Sequence, residues 1–380
     1  MTANPAPNAA PASESAPSSL IIEDGVCVAM FAYDVGQHID LNAVERIVGG
    51  QSQRRGLKKR RGSPRHFEFD PAPITLTQDI ESIEVAGRAL EPQADLTLYD
   101  FGAVTLAYRI DLRGPLGALV DIGVELYENA ALLASSRKQV EAMMAILAPA
   151  VRKGHVAEFV EDYCVYQILA LRDHPLERAV RSGGGIFAMA LRADREPLSD
   201  QAQADVLGSR LSFGQDDTAI VDWNGAILLD ADSDDGLAVL AYANVELLEM
   251  RYLDHQLDRA LEIAWEATQA RGWTAFLPGA GAAEQRRVAE FQIDGALLFE
   301  GVNNAVKLLG DQYLARLYRL ASDRLHLPDW DASIMRKLDA LDRMYQKITD
   351  QRAAWRMEAL EWVIIVLIAV SIILPLMGLK

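Results

Sequence analysis

The chain has 380 residues, half of them apolar and about a quarter charged, with a net charge of −17 and two cysteines. That balance is ordinary for a globular protein and excludes a wholly disordered chain or a disulfide-stapled scaffold. The length is ample for one large core or two modest ones. Cys27 and Cys164 each sit in an apolar, strand-like run, the pattern of core packing in a reducing compartment.

Residues 1–20 (MTANPAPNAAPASESAPSSL) are rich in Ala, Pro and Ser and carry one charge, Glu14. They lack the apolar centre of a signal peptide and predict a disordered tail. Gly25–Tyr33 (GVCVAMFAY) is apolar on both faces, which predicts a fully buried strand. Asp40 then caps a short helix, LNAVERIV, that Gly49 and Gly50 end.

The next segment concentrates charge. Arg54, Arg55, Lys58, Lys59, Arg60, Arg61 and Arg65 fall in twelve residues without an acidic group, although the chain as a whole is acidic. Counterion release makes such a segment attractive to phosphate backbones, and anionic headgroups attract it too. No aromatic interleaves it to stack on bases. RNA or ribosome contact, lipid contact and a solvated loop with no partner all stay open.

FEF at 67–69, ITLT at 74–77, DLTLY at 95–99 and FGAVTLAYRI at 101–110 read as strands. The last places Val104, Leu106, Tyr108 and Ile110 on one face. A helix is predicted from about Leu116 to Val151, then a strand at 163–171 (YCVYQILAL). Gly183–Gly185 reads as a flexible turn, since no phosphate-loop sequel follows it. Ser199 opens a further helix. AIVDW at 219–223 and AILLD at 226–230 form a predicted hairpin about Asn224-Gly225. Asp230, Asp232 and Asp234 have the alternation of a calcium loop, but Asp235 and Ala241 occupy the places its Gly and Glu require. An acidic cap on a helix from Leu237 is the simpler expectation.

Everything after Gly236 reads as helix: Leu237 to about Ala270, Ala282 to Leu327, and a third from Asp329. Glu300, Asn303, Asn304, Lys307 and Asp311 make a polar band within the second. Along the third, Ile334, Leu338, Leu341, Tyr345, Ile348, Arg352, Trp355, Ala359 and Trp362 alternate steps of four and three, an a/d stripe. Its seam is expected against preceding helices of the same chain, read as antiparallel, or against another subunit. The stripe runs straight into Trp362–Leu379 (WVIIVLIAVSIILPLMGL), which has no charged side chain. At ~1.5 Å per residue this run reaches roughly 27 Å, close to the ~30 Å bilayer core. Trp362, Ile364, Ile365, Leu367, Ile368, Ile372, Ile373 and Leu374 are the expected anchor residues, with a buried core helix as the competing reading. Arg343, Lys347, Arg352 and Arg356 upstream place the bulk of the chain in the cytoplasm.

No histidine spacing suits a metal, no Gly-x-Ser-x-Gly elbow occurs, and no cofactor is expected. His255, between Asp254 and Asp258, reads as a surface histidine.

VCVAMFAYDVGQHIDL, LYDFGAVTLAYRI, VLAYANVELLEMRYLDHQLD and MEALEWVIIVLIAVSII together resemble the "required for meiotic nuclear division" family. The resemblance implies a membrane-tethered, self-assembling protein without established catalysis; a mitochondrial relative supports translation by holding ribosomes near the inner membrane. The expected class is α+β: a disordered tail at 1–20, an α/β domain at 21–235 with the basic loop 54–65, a helical stalk at 236–358 and a transmembrane anchor at 359–380. The expected function is a non-enzymatic scaffold at the cytoplasmic membrane with lipid, another copy of itself and a cytoplasmic protein as partners. The alternatives are an RNA- or ribosome-binding factor using the basic loop and an enzyme whose site is assembled from distant residues.

Overall fold

A computed structural model describes residues 20–48, 52–54, 71–214, 217–269 and 312–376. Fourteen strands and nine helices are defined among them: β1 (Ile21–Asp34), β2 (His38–Ile39), α1 (Leu41–Val48), β3 (Ser52–Arg54), β4 (Ile74–Asp79), β5 (Glu84–Val85), β6 (Arg88–Ala89), β7 (Gln93–Leu98), β8 (Ala103–Asp111), β9 (Gly114–Pro115), α2 (Ala118–Leu126), α3 (Ala130–Leu147), β10 (Val151–Arg152), β11 (Glu161–Leu171), α4 (Leu176–Ser182), α5 (Gly184–Leu191), α6 (Asp200–Gly208), β12 (Arg210–Leu211), β13 (Thr218–Val221), β14 (Gly225–Leu229), α7 (Asp234–Gln269), α8 (Gln312–Arg324) and α9 (Leu327–Leu376). Described residues through Glu246, with those up to Leu325 in α8 and its end, form one compact unit; Leu247 onward in α7 and His326 onward form a second.

The first unit is built on a sheet ordered β12-β13-β14-β11-β1-β8-β7-β4-β3, with β9 also paired to β1. Only β11 and β14 run parallel; every other pairing is antiparallel. β1 is central, and from Cys27 to Asp34 all eight residues are buried, as its two-sided apolar pattern predicts. Cys27, Ala29, Phe31 and Tyr33 join the core beneath α2, α3 and α5. Two tyrosines pin α3 to that face: Tyr33 Oη lies 2.6 Å from Ser136 Oγ, and Tyr108 Oη donates to Ser135 Oγ at 2.9 Å. On the opposite face lie α8 and the part of α7 up to Glu246. Gln167 donates to Ser233 Oγ at 2.7 Å, and Asn244 Nδ2 reaches the Glu161 carbonyl at 3.4 Å. Gly236 brings the first turn of α7 against Leu228 and Leu317.

Several elements follow their local signals. Asp40 Oδ1 accepts from the Ala43 amide at 3.0 Å to cap α1, and Ser199 Oγ accepts from Ala202 at 3.3 Å to cap α6. Leu20, at the end of the expected tail, is buried, and its carbonyl accepts from the Leu116 amide. Cys27 and Cys164 are both free thiols.

Other elements differ. The single helix expected over 116–151 is two helices, α2 and α3, because Glu128 turns left-handed (φ 50°) and the Asn129 side chain caps α3 by accepting from Leu132 at 3.0 Å. Gly183–Gly185 is no flexible turn. It joins α4 to α5, and a Cβ at Gly183 would lie 2.6 Å from the Ala179 carbonyl and 2.8 Å from Leu116. The hairpin forms one residue earlier than Asn-Gly chemistry predicts: Asp222 donates to the Gly225 carbonyl at 2.9 Å, leaving Trp223 and Asn224 at the tip. Gly225 is instead the first residue of β14, where a Cβ would meet Cys164 within 2.4 Å. Close strand approach, rather than turn type, explains this glycine. α7 starts at Asp234, three residues before the expected Leu237. The third helix starts at Leu327 because His326 breaks the path with φ 57°.

In the second unit, Leu253, Leu257, Ala260 and Ala264 of α7 pack with Ile334 and Leu341 of α9, and Leu338 and Tyr345 lie against them. The first half of the expected stripe is therefore sealed within one chain. The helices run parallel, not antiparallel: Asp254 accepts from Ser333 at 3.2 Å, Lys337 Nζ contacts Asp254 at 2.7 Å and Asp258 at 2.6 Å, and Arg251 lies over Trp330. The side chains of Ile348, Arg352, Trp355 and Ala359, in the second half, lie outside the described residues, as do Gly49, Gly50, FEF at 67–69 and the polar band at 300–311.

Candidate functional site

Of the basic segment, Arg54 is described in backbone only, at the end of β3, the outermost strand on its side of the sheet. Arg55, Lys58, Lys59, Arg60, Arg61 and Arg65 lie outside the described residues. Among the anchor residues, Trp362, Ile364, Ile365, Leu367 and Ile368 are described on α9; the side chains of Ile372, Ile373 and Leu374 are not. Among the described residues, no helix is long and apolar enough to cross a membrane. What is described is an apolar helix bare to solvent on all sides. Every residue from Leu360 to Ser371 is exposed. Met357, Leu360, Trp362 to Ile368 and Val370 are each between 44% and 68% accessible. A core helix would bury at least one stripe of such a surface, so the core-helix reading fails for this stretch. Each large apolar side chain gains roughly 1.5–3 kcal/mol on leaving water, so this surface favours an apolar covering.

Two charged constellations occur in the sheet unit, and neither was visible as spacing. Asp222, the residue just before the hairpin tip, is fully buried. Its Oδ1 accepts from Arg324 Nε at 2.9 Å, and its Oδ2 lies 2.7 Å from Arg192 Nε, an ion pair whose angle falls short of a hydrogen bond. Asp205 on α6 closes the set: its Oδ2 accepts from Arg192 Nη2 at 2.6 Å and Arg324 Nη2 at 2.7 Å, and its Oδ1 from Arg324 Nη1 at 3.3 Å. The Arg324 guanidinium holds the Asp205 carboxyl below the usual carboxylate range. Two positive and two negative groups thus join the end of α8 to the hairpin, to α6 and to the end of α5. A signal existed only in part: Asp222 is a charged residue in an otherwise apolar strand pair, while its partners lie 30 and 102 positions away.

The second constellation is Asp34 with His155. Asp34 ends β1 on the buried face, and His155 Nε2 lies 2.8 Å from its Oδ1 while Nδ1 lies 3.2 Å from the Lys153 carbonyl. Burial pushes the Asp34 carboxyl up, and the hydrogen bond to Asp34 pushes the His155 imidazole up. With both ring nitrogens engaged, this histidine favours the protonated form and suits a latch on the 151–157 segment better than proton transfer.

The acidic run makes a local turn before α7, and Asp234 and Asp235 lie in the first turn of the helix. Asp230 Oδ1 accepts from the Asp232 amide at 3.0 Å, and the Leu237 amide donates to the Ser233 carbonyl. Among the described residues, no group of His, Cys, Asp or Glu is placed to hold a metal ion. Asp217 belongs to the β12–β13 turn, accepting from the Phe213 and Gly214 amides, and His255 is exposed on α7.

Fold and site together define a mixed α/β chain: a sheet-centred N-terminal unit followed by C-terminal helices, the last ending in an exposed apolar stretch. The profile of the family described as "Uncharacterized protein MJ0711, N-terminal domain" matches residues 24–235, more than half of the chain, and the chain belongs to that family. It is similar to "Uncharacterized protein MJ0711" of Methanocaldococcus jannaschii, 22% identical over 231 residues that make up 59% of this chain and 69% of the relative. No solved structure matches.

Proposed function

We propose that this protein is a membrane-tethered, non-enzymatic scaffold that uses its sheet unit to present a surface to a cytoplasmic partner. The observation that carries the reading is the exposed apolar stretch of α9 from Trp362 to Val370. The helical backbone continues to Leu376, and the sequence beyond Val370 adds Ile372, Ile373 and Leu374 without a charge. Lipid is the covering that accepts an apolar helix on every side at once. The seam between α7 and α9 supports a stalk above that anchor, and self-association through the stalk's later turns is part of the proposal. So is kinship with the "required for meiotic nuclear division" family, whose implied tethering agrees with this arrangement. Truncation after Glu361 moves the protein from the membrane pellet to the soluble fraction; a truncated chain that stays in the pellet after alkaline carbonate washing refutes the tether.

A second reading, RNA or ribosome contact through the basic segment, is favoured by one placement. The segment begins at Arg54, the last residue of β3, which is an edge strand. Replacing Arg54, Arg55, Lys58, Lys59, Arg60 and Arg61 with Gln then abolishes a salt-sensitive association with RNA. Absence of any association at low salt in the intact chain refutes this reading.

A further inference from the structure

The Asp222 constellation has an outer half that resembles a filled anion site. Arg192 and Arg324 are held from beneath by a carboxylate with no solvent exposure, and their side chains retain 26% and 20% accessibility. Their Nη2 groups converge on one oxygen, Asp205 Oδ2, at 2.6 and 2.7 Å, and Arg324 Nη2 also lies 2.8 Å from Asp222 Oδ1. Asp205 itself is 52% exposed and lies on the short surface helix α6. The inner carboxylate pairs with both guanidiniums, with Arg324 through Nε at 2.9 Å and Nη2 at 2.8 Å and with Arg192 through Nε at 2.7 Å. Planar guanidiniums are suited to bidentate recognition of carboxylate or phosphate. An exposed ion pair is weak, since solvent screens it and side-chain entropy opposes it.

We propose that Arg192 and Arg324 form a binding site for a phosphate-bearing ligand, with Asp205 as a built-in competitor that occupies the site until such a ligand displaces it. The four groups are neutral in sum, so the site draws no anion strongly while Asp205 is seated. Displacing Asp205 leaves Asp222 against two arginines, a net positive charge facing an incoming dianion. The ligand binds by exchange of one oxyanion for another, with no bond made or broken.

The test uses the full chain in detergent and inorganic phosphate as probe, titrated calorimetrically against chloride at matched ionic strength. Asp205→Asn removes the competitor while Asp222 still pairs with both arginines, and it tightens phosphate binding about fivefold, the factor that about 1 kcal/mol of lost competition from an exposed carboxylate implies. Adding Arg192→Lys to Asp205→Asn keeps the charge but loses the fork, and it abolishes the gain. Circular dichroism establishes that each variant is folded. The proposal is overturned if folded Asp205→Asn binds phosphate no more tightly than the parent, if neither binds it, or if the gain survives Arg192→Lys.

Discussion

Adding one carbon at Gly123 tests how closely the helices over the sheet are packed. Gly123 lies within α2, where alanine is ordinarily the better residue by up to ~1 kcal/mol. A Cβ at this position, however, would sit 2.3 Å from the carbonyl oxygen of Ala190 on α5, 3.1 Å from its carbonyl carbon and 3.1 Å from the Tyr166 hydroxyl. The first obstacle is helix backbone, so no side-chain rotation relieves it. Restoring ordinary contact requires α2 and α5 to part by roughly 1 Å, since non-bonded atoms settle near ~3.5 Å. That movement opens a core containing Leu119, Ile122, Phe187 and Leu191, all buried. Overpacking of this kind costs about 1–3 kcal/mol, which exceeds the helix-propensity gain. Gly123→Ala therefore destabilises the sheet unit by about 1–2 kcal/mol. Gly208 is the control, because nothing lies within 4 Å of a Cβ added there; Gly208→Ala leaves stability equal or slightly higher. Guanidinium midpoints followed by far-ultraviolet circular dichroism measure both. A Gly123→Ala midpoint at or above that of the parent refutes the close-approach argument.

Asp222→Asn leaves two arginines facing a neutral amide in a buried position and costs about 3 kcal/mol. The same change at exposed Asp205 costs much less, and equal losses in denaturation midpoint at the two positions would contradict the assigned burial. Leu341→Ala deletes a fully buried side chain between α7 and α9 and costs about 2–5 kcal/mol. Hydrogen exchange then rises over 253–264 and 334–345; an increase confined to the sheet strands would exclude this pairing. For His155 and Asp34, both folded pKa values are raised, so the folded state binds more protons than the unfolded chain. The His155 contribution is complete below the unfolded histidine value of ~6.5 and is lost as pH rises through the higher folded value. Asp34 adds a loss of the same sign as pH rises from the unfolded carboxylate value of ~3.9. His155→Gln flattens the fall in unfolding midpoint above neutral pH; an unchanged slope would show that the latch does not titrate there.

Much of the architecture is legible because its signals are local. β1 declares itself by nine consecutive residues with no strong charge, and α1 and α6 by the side chains of Asp40 and Ser199 at their starts. The apolar stripe of α9 follows from steps of four and three in one helix. Where local signals compete, reading them singly misleads. Glu128 and Asn129 look tolerable inside a helix, yet a left-handed residue followed by a capping amide divides α2 from α3. Asn224-Gly225 looks like a hairpin tip, yet Gly225 is required where β14 meets Cys164, and the turn shifts to accommodate it.

Composition and periodicity alone determine that this chain has a sheet-building front, a helical back and a charge-free apolar stretch near its end, because each depends on neighbours within a few residues. Tertiary structure alone decides the partners. Arg192, Asp205, Asp222 and Arg324 are brought together by strand order, and α7 meets α9 side by side in the same direction. Neither fact has a local cause: a buried charge selects its counter-charge by geometry in space, and sequence separation leaves no trace of that choice.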